Sequence, residues 1–202
     1  AVTSSFLVTF VLMGFSFLAP FYIEFIRGSS VSTAGVMLMI PSLVMMALAP
    51  FSGRISDQIG SRVLCSIGAA IFSLVFAALF IFDANTNFIF IVISFFALGC
   101  AAGIFMAPNN KLVMLQAPAD KQGVASGVYK MSLNTGSVLG IALFPMIIMG
   151  KIHSIMAAKN MDLAQVRQSP ELMCAGFRSA FLFAIAVCLL MFVFSFFARD
   201  KK

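Results

Sequence analysis

Charge is what this sequence has least of. Its 202 residues include seven Asp and Glu, thirteen Lys and Arg and one His, so charged residues make up 10% of the chain against 61% hydrophobic. Soluble globular domains carry about 25% charged residues, and a mean hydropathy of +1.07 excludes a water-facing surface of that kind. Catalytic groupings are missing as well. The chain has no paired-carboxylate site, no His/Cys spacing suited to a metal, no nucleophile elbow and no phosphate-cradling glycine loop. Ser126 in GVASGVYK follows small residues but has no His or Asp in reach. The four cysteines, Cys65, Cys100, Cys174 and Cys188, lack CxxC spacing and read as small apolar packing residues. Neither an enzyme nor a bound cofactor is expected. The net charge of +6 is no nucleic-acid footprint either, because no basic cluster with interleaved aromatics lies outside the apolar runs.

What the chain has in abundance is long apolar runs. Crossing a hydrocarbon core of about 30 Å at about 1.5 Å rise per residue takes roughly 20 apolar residues in a helix. Six segments meet that length, at about 5–26, 31–51, 62–82, 88–109, 124–149 and 177–198. They lack the alternation of lipid-facing and lumen-facing residues that barrel strands display, so the expected fold is all-α and transmembrane. Lys and Arg fix the expected orientation. Arg54, Arg62, Lys111, Lys121, Lys130, Arg199, Lys201 and Lys202 fall on the side of the termini and even-numbered links, against Arg27, Lys151, Lys159, Arg167 and Arg178 on the other. Four of those five lie in or beside the long link 150–176, which counts less in the positive-inside rule, so both termini are expected in the cytoplasm. The chain opens Ala-Val-Thr-Ser-Ser, without Met, a basic leader or a small-residue cleavage site; it does not read as a signal peptide and is expected to be a piece of a longer chain.

Proline and glycine punctuate the runs. Pro20, Pro41, Pro50, Pro108 and Pro145 each remove a backbone donor inside or at the edge of a span. The small-xxx-small pairs Gly99/Gly103, Gly123/Gly127 and Gly136/Gly140 mark faces where two helices can approach closely. In the link 150–176, Ile152, Ile155, Met156, Leu163 and Val166 recur at helical spacing and suggest a short amphipathic helix on the outer interface. His153 stands alone at the membrane edge and is given no role. The 24 Phe and 14 Met residues read mainly as packing and lipid-facing bulk.

An ionisable side chain inside a span is costly unless it faces protein or water, so each is a candidate for function. Two qualify, Glu24 near the outer end of the first run and Lys130 early in the fifth, and both are long enough to reach an interface. Asn109, Asn110, Asn134 and Thr135 are neutral groups able to hydrogen-bond across helices.

One short link names a family. GRISDQIGSR, between the second and third runs, resembles the loop signature of the major facilitator superfamily, with Gly53, Asp57 and Gly60 at the matching positions and Arg54 and Arg62 flanking. LAPFYIEFIRGSSVSTAGVMLMIPSLVMMALAPFSGRISDQIGSR is similar to the corresponding stretch of the fourteen-helix drug:proton antiporter branch. ALGCAAGIFMAPNN and APADKQGVASGVYKMSLNTGSVLGIAL are similar to its last third. The sequence departs from that branch at Glu24, where Gln is common, at Leu133, where a basic residue is common, and at Ile141, where the antiporter glycine motif has Pro.

The resemblance implies the C-terminal six-helix bundle of such a transporter, built as two inverted three-helix repeats. Its implied partners are a missing N-terminal half, the lipid bilayer of the inner (plasma) membrane and a small lipophilic substrate. Its implied activity is multidrug efflux by antiport, with the proton gradient as energy source. By the family's pattern the first and fourth helices line the cavity, giving Phe17, Tyr22, Glu24, Phe105 and Asn109 as substrate candidates, with Asn134 from the fifth. Asp57 is implied to meet a helix N-terminus of the absent half when the cytoplasmic side is shut. Gly99, Gly103, Gly127, Gly136 and Gly140 are read as helix-packing positions. Two other readings stay open at this point, a non-transporting scaffold or sensor with this fold and a half-transporter that pairs with its own copy.

Overall fold

A computed structural model describes residues 1–83, 86–159 and 169–196, and these form six long helices with no strand among the described residues. They are α1 (Val2–Phe21, continued by a π-helical turn at Tyr22–Ile26), α2 (Val31–Ile59), α3 (Ser61–Ile81), α4 (Phe88–Gln116), α5 (Gln122–Lys159) and α6 (Pro170–Phe196). All six are long and apolar enough to cross a membrane. The helices run up and down, so the bundle has a near end, where α1 begins and Gly60 joins α2 to α3, and a far end, where Gly28 lies between α1 and α2.

The helices outrun the apolar segments because backbone hydrogen bonding does not stop where hydrocarbon stops. α2 continues through seven of the ten residues of GRISDQIGSR, so the expected link is a single break at Gly60, whose φ of 92° glycine adopts without strain. Gly53 is therefore an ordinary helix residue, not half of a tight crossing. At the other ends, Ser30 caps α2 by accepting the Thr33 N–H at 3.3 Å, and Asn87 caps α4 by accepting from Ile89 at 3.1 Å. α5 runs on to Lys159, so Ile152, Ile155 and Met156 belong to it and not to a separate interfacial helix. Leu163 and Val166 lie outside the described residues, as do Arg167, Arg199, Lys201 and Lys202.

The most extensive pairings are α1 with α5, α2 with α4, α3 with α4 and α3 with α6. Exchanging helices one and four, two and five, three and six carries α1/α5 onto α4/α2 and leaves α3/α6 in place, as expected of a bundle of two three-helix repeats, while α3/α4 maps onto the less extensive α6/α1 pairing. Aromatic rings fill the centre: Phe15 of α1 sits 5.6 Å from Phe76, 5.3 Å from Phe95 and 6.4 Å from Phe181. Glycine closes both matched pairs. A Cβ on Gly99 would lie 2.7 Å from the Pro41 carbonyl oxygen and one on Gly103 2.9 Å from the Leu48 Cβ, both on α2. A Cβ on Gly136 would meet the Phe6 carbonyl oxygen of α1 at 2.5 Å, and one on Gly140 would collide with the carbonyl oxygen of Phe10. Gly127, also read as a packing position, has nothing within 4 Å; it meets no neighbour among the described residues, because the α5 face toward α1 runs through Gly136 and Gly140 instead.

Burial separates the helices. In their most apolar stretches 61% of α1 residues are buried, but only 11% in α2 and 22% in α5. The flanks of α2 and α5 therefore present apolar side chains to whatever surrounds this bundle, among them Met46, Met131 and Met146.

Candidate functional site

Helix α1 is the centre of the site because it is the most buried helix yet keeps one exposed strip, Met13, Phe17, Phe21 and Phe25, along its length. Pro20 interrupts its hydrogen-bond ladder, and the turn that follows relaxes to π geometry over Tyr22–Ile26, a local widening found often at functional positions. Gly28, with φ of 61°, ends the segment.

Two of the pockets among the described residues flank α1 and are large enough to matter here. The one at mid-depth, about 150 Å³, lies between α1, α2 and α4 and is walled by Met13, Ser16, Pro41, Ser42 and Met45 among others. Two hydroxyls in an otherwise apolar wall can orient a ligand without holding a charge. The second, about 370 Å³, opens at the far end between α1, α5 and α6. Of the six residues expected to bind substrate, only Phe17 lines either pocket. Sequence reading missed Ser16 and Ser42, which carry no signal apart from their helical register. It also missed Phe21 and Phe25, which the i, i+4, i+8 spacing from Phe17 does signal.

The remaining candidates have other surroundings. Tyr22 is buried behind the far groove, its ring 5.5 Å from Phe177 and 6.2 Å from Phe181, and its hydroxyl has no hydrogen-bond partner among the described residues. Glu24 is half-buried in the π turn. Phe105 is fully buried against α3, with its ring 6.5 Å from Phe72 and its Cβ where one on Gly68 would come within 2.9 Å. It is core, not cavity wall, because the close approach of α3 to α4 turns that side of α4 inward. Asn109 is buried too, and its Nδ2 donates to the Ser5 hydroxyl at 2.6 Å, which in turn donates to the Ala1 carbonyl at 3.0 Å. It clamps α4 to α1 at the near end. Asn134 is exposed on α5 and lines neither pocket.

The loop carboxylate finds a partner inside the chain. Asp57 pairs with Lys111 on α4, with about two thirds of its side chain still exposed. Arg62 does not join it: the guanidinium lies 4.8 Å over the ring of Phe196, a cation–π contact. At the far end Arg178 donates to Asp83 at 2.5 Å, tying α6 to the α3–α4 link. Exposed pairs of this kind contribute about 0.2–1 kcal/mol each, enough to bias an arrangement but not to hold a fold. Among the described residues no three His, Cys, Asp or Glu side chains come together as metal ligands.

The model of the Major Facilitator Superfamily matches residues 1–202. This chain belongs to that superfamily. Its relatives within it include the riboflavin transporter RibZ of Clostridioides difficile (strain 630), 27% identical over 135 residues covering 67% of this chain and 30% of that one. The methyl viologen resistance protein SmvA of Salmonella typhimurium is 29% identical over 138 residues, 68% of this chain and 28% of its own. The multidrug efflux pump LfrA of Mycolicibacterium smegmatis is 26% identical over 165 residues, 80% of this chain and 32% of its own. The alignments thus span about a third or less of each relative. Six helices long and apolar enough to cross a membrane, in a chain of this superfamily, make it a multi-pass membrane protein.

Proposed function

We propose that this chain is the C-terminal half of a secondary active transporter that exports lipophilic, drug-like compounds by alternating access, using the proton gradient. The observation that carries the reading is the uneven burial of the helices. Burying α1 while leaving α2 and α5 bare on either side of its exposed strip is the pattern of a bundle whose working face meets a second bundle. The names of the relatives, which include multidrug efflux, methyl viologen resistance and riboflavin transport, support the substrate class. In this reading the near end faces the cytoplasm of an inner-membrane protein, and substrate enters the mid-depth pocket beside Ser16 and Ser42.

The near-end ion pair supplies the switch. Lys111 anchors the Asp57 carboxylate to α4, and the exposed part of that carboxylate is free to accept from a helix N-terminus of the other half when the cytoplasmic side is shut. A carboxylate at a helix N-terminus contributes about 0.3–1 kcal/mol, up to about 2 when partly buried, enough to shift two nearly balanced states. The test is efflux of a lipophilic cationic dye from energised cells lacking their own pumps. The full-length gene carrying this chain should pump, dissipating the proton gradient should stop it, and Asp57→Asn should lose efflux at normal membrane levels. Efflux that survives both a collapsed gradient and Asp57→Asn would sink the reading. Efflux by the 202-residue chain alone would establish a self-pairing half-transporter, and none by the full-length gene would favour a scaffold.

A further inference from the structure

We propose that the far-end groove is a binding site for an uncharged planar aromatic molecule, separate from the mid-depth pocket. One wall is a ladder of rings on α1. Phe17 and Phe21 lie 5.5 Å apart, and Phe21 and Phe25 stack at 6.0 Å with 11° between their planes. The rings are 42%, 39% and 45% exposed, so each offers surface to a guest. Met149 of α5 forms part of the opposite wall, while Met173 and Phe177 of α6 are buried at the floor.

The volume, about 370 Å³, falls in the range of about 300–1,000 Å³ that drug-sized ligands occupy. None of the ten lining residues is titratable or carries a polar side chain. A charged guest would lose hydration worth far more than the cation–π contacts the exposed rings could return, so an uncharged body is favoured. Ring shape is favoured over chain shape for two reasons. Aromatic guests gain edge-to-face and offset contacts with phenylalanine at the 4.5–7 Å spacing already present in the ladder, and thioether sulfur adds to them at ring edges. A rigid ring also gives up less conformational freedom on binding than an acyl chain does. The groove lies within the last turns of α1 and the first turns of α6, displaced from the mid-depth pocket along the bundle axis. Its bearing on transport rests on the function proposed above, as a second station for uncharged aromatic substrates and not for the cationic ones. Occupancy itself does not depend on that reading.

The test reads binding alone, so it can fail while transport stands, and the reverse. The full-length protein in lipid nanodiscs is irradiated with benzophenone, whose excited ketone takes a hydrogen from a nearby C–H and joins the resulting carbon radical, favouring methionine. Adducts are expected to concentrate on Met149 and Met173, even though Met173 is only 9% exposed while Met46, Met131 and Met146 are 68%, 70% and 69% exposed. Excess naphthalene should protect both groove methionines, and methyl viologen, a dication, should not. Phe21→Ala, at an exposed ring, should weaken labelling at those two positions by about fivefold, the equivalent of one aromatic pair, without altering it elsewhere. Labelling that follows exposure across all the methionines overturns the proposal. So does equal protection by methyl viologen, or protection by palmitate and not by naphthalene, which would make the groove a slot for acyl chains.

Discussion

Gly140→Ala adds one methyl group at the tightest point of the α1/α5 seam. The new Cβ would collide with the Phe10 carbonyl oxygen and lie 3.0 Å from the Phe10 carbonyl carbon and 3.1 Å from the Gly14 nitrogen. All three are backbone atoms, so no side chain can rotate away, and the two helices must separate along a seam that also holds Gly136. Overpacking of this kind costs about 1–3 kcal/mol. Alanine repays about 1 kcal/mol of helix propensity, leaving a net loss of up to about 2 kcal/mol with no room for a gain. Gly127→Ala is the matched control: same helix, same chemistry, and nothing within 4 Å of the added atom. It should gain part of the propensity term and melt at or slightly above the unmodified protein. Thermal unfolding of both variants in one detergent, followed by loss of the monodisperse peak in size-exclusion chromatography, measures the difference. If Gly140→Ala melts no lower than Gly127→Ala, the argument that backbone contact sets the α1/α5 distance is wrong.

Three further experiments test the assignments of individual candidates. Ser5→Ala leaves the buried Asn109 Nδ2 without its acceptor and should cost about 1–3 kcal/mol, whereas adding Asn109→Leu should recover much of that loss in the same melting assay. Phe105→Ala should cost about 3–5 kcal/mol as a core truncation, while Phe17→Ala, at a 42% exposed ring, should barely move the melting point. Tyr22→Phe removes a hydroxyl that has no partner among the described residues beside a void of only about 10 Å³, the lower limit for one water. It should match or exceed the stability of the parent by up to about 1 kcal/mol, and a loss would mean that the hydroxyl is bonded after all.

The membrane spans were legible because hydrophobic length is a one-dimensional property, and all six appear where the apolar runs lie. Helix ends were not, since apolar content marks the hydrocarbon boundary while hydrogen bonding carries α2 to Ile59 and α5 to Lys159. The family was legible from GRISDQIGSR because a glycine and a carboxylate at a bundle end are constrained together. Site residues were the least legible. Asn109 and Phe105 lie on the same helix as Leu98 and Ala102, which line the mid-depth pocket, and which face of α4 turns inward depends on how closely α3 and α1 approach. Gly136 and Gly127 illustrate the same limit, being identical by motif and opposite in surroundings.

The distribution of polar contacts suggests how one bundle can be rigid and still switch. The inner pairings are sealed by backbone contact and by buried hydrogen bonds such as Ser52 to the Gly103 carbonyl at 2.6 Å and Asn109 to Ser5. Those are costly to break, so α1, α2, α4 and α5 move as one body. The ion pairs, by contrast, sit at the two ends, Asp57 with Lys111 and Asp83 with Arg178, on side chains that stay largely in contact with solvent. Such pairs exchange partners at small cost. A π turn follows Pro20 at the far end of the most buried helix, immediately beside the aromatic groove. Pairs that exchange partners easily at the ends of a closely packed body let its end contacts rearrange without repacking its core.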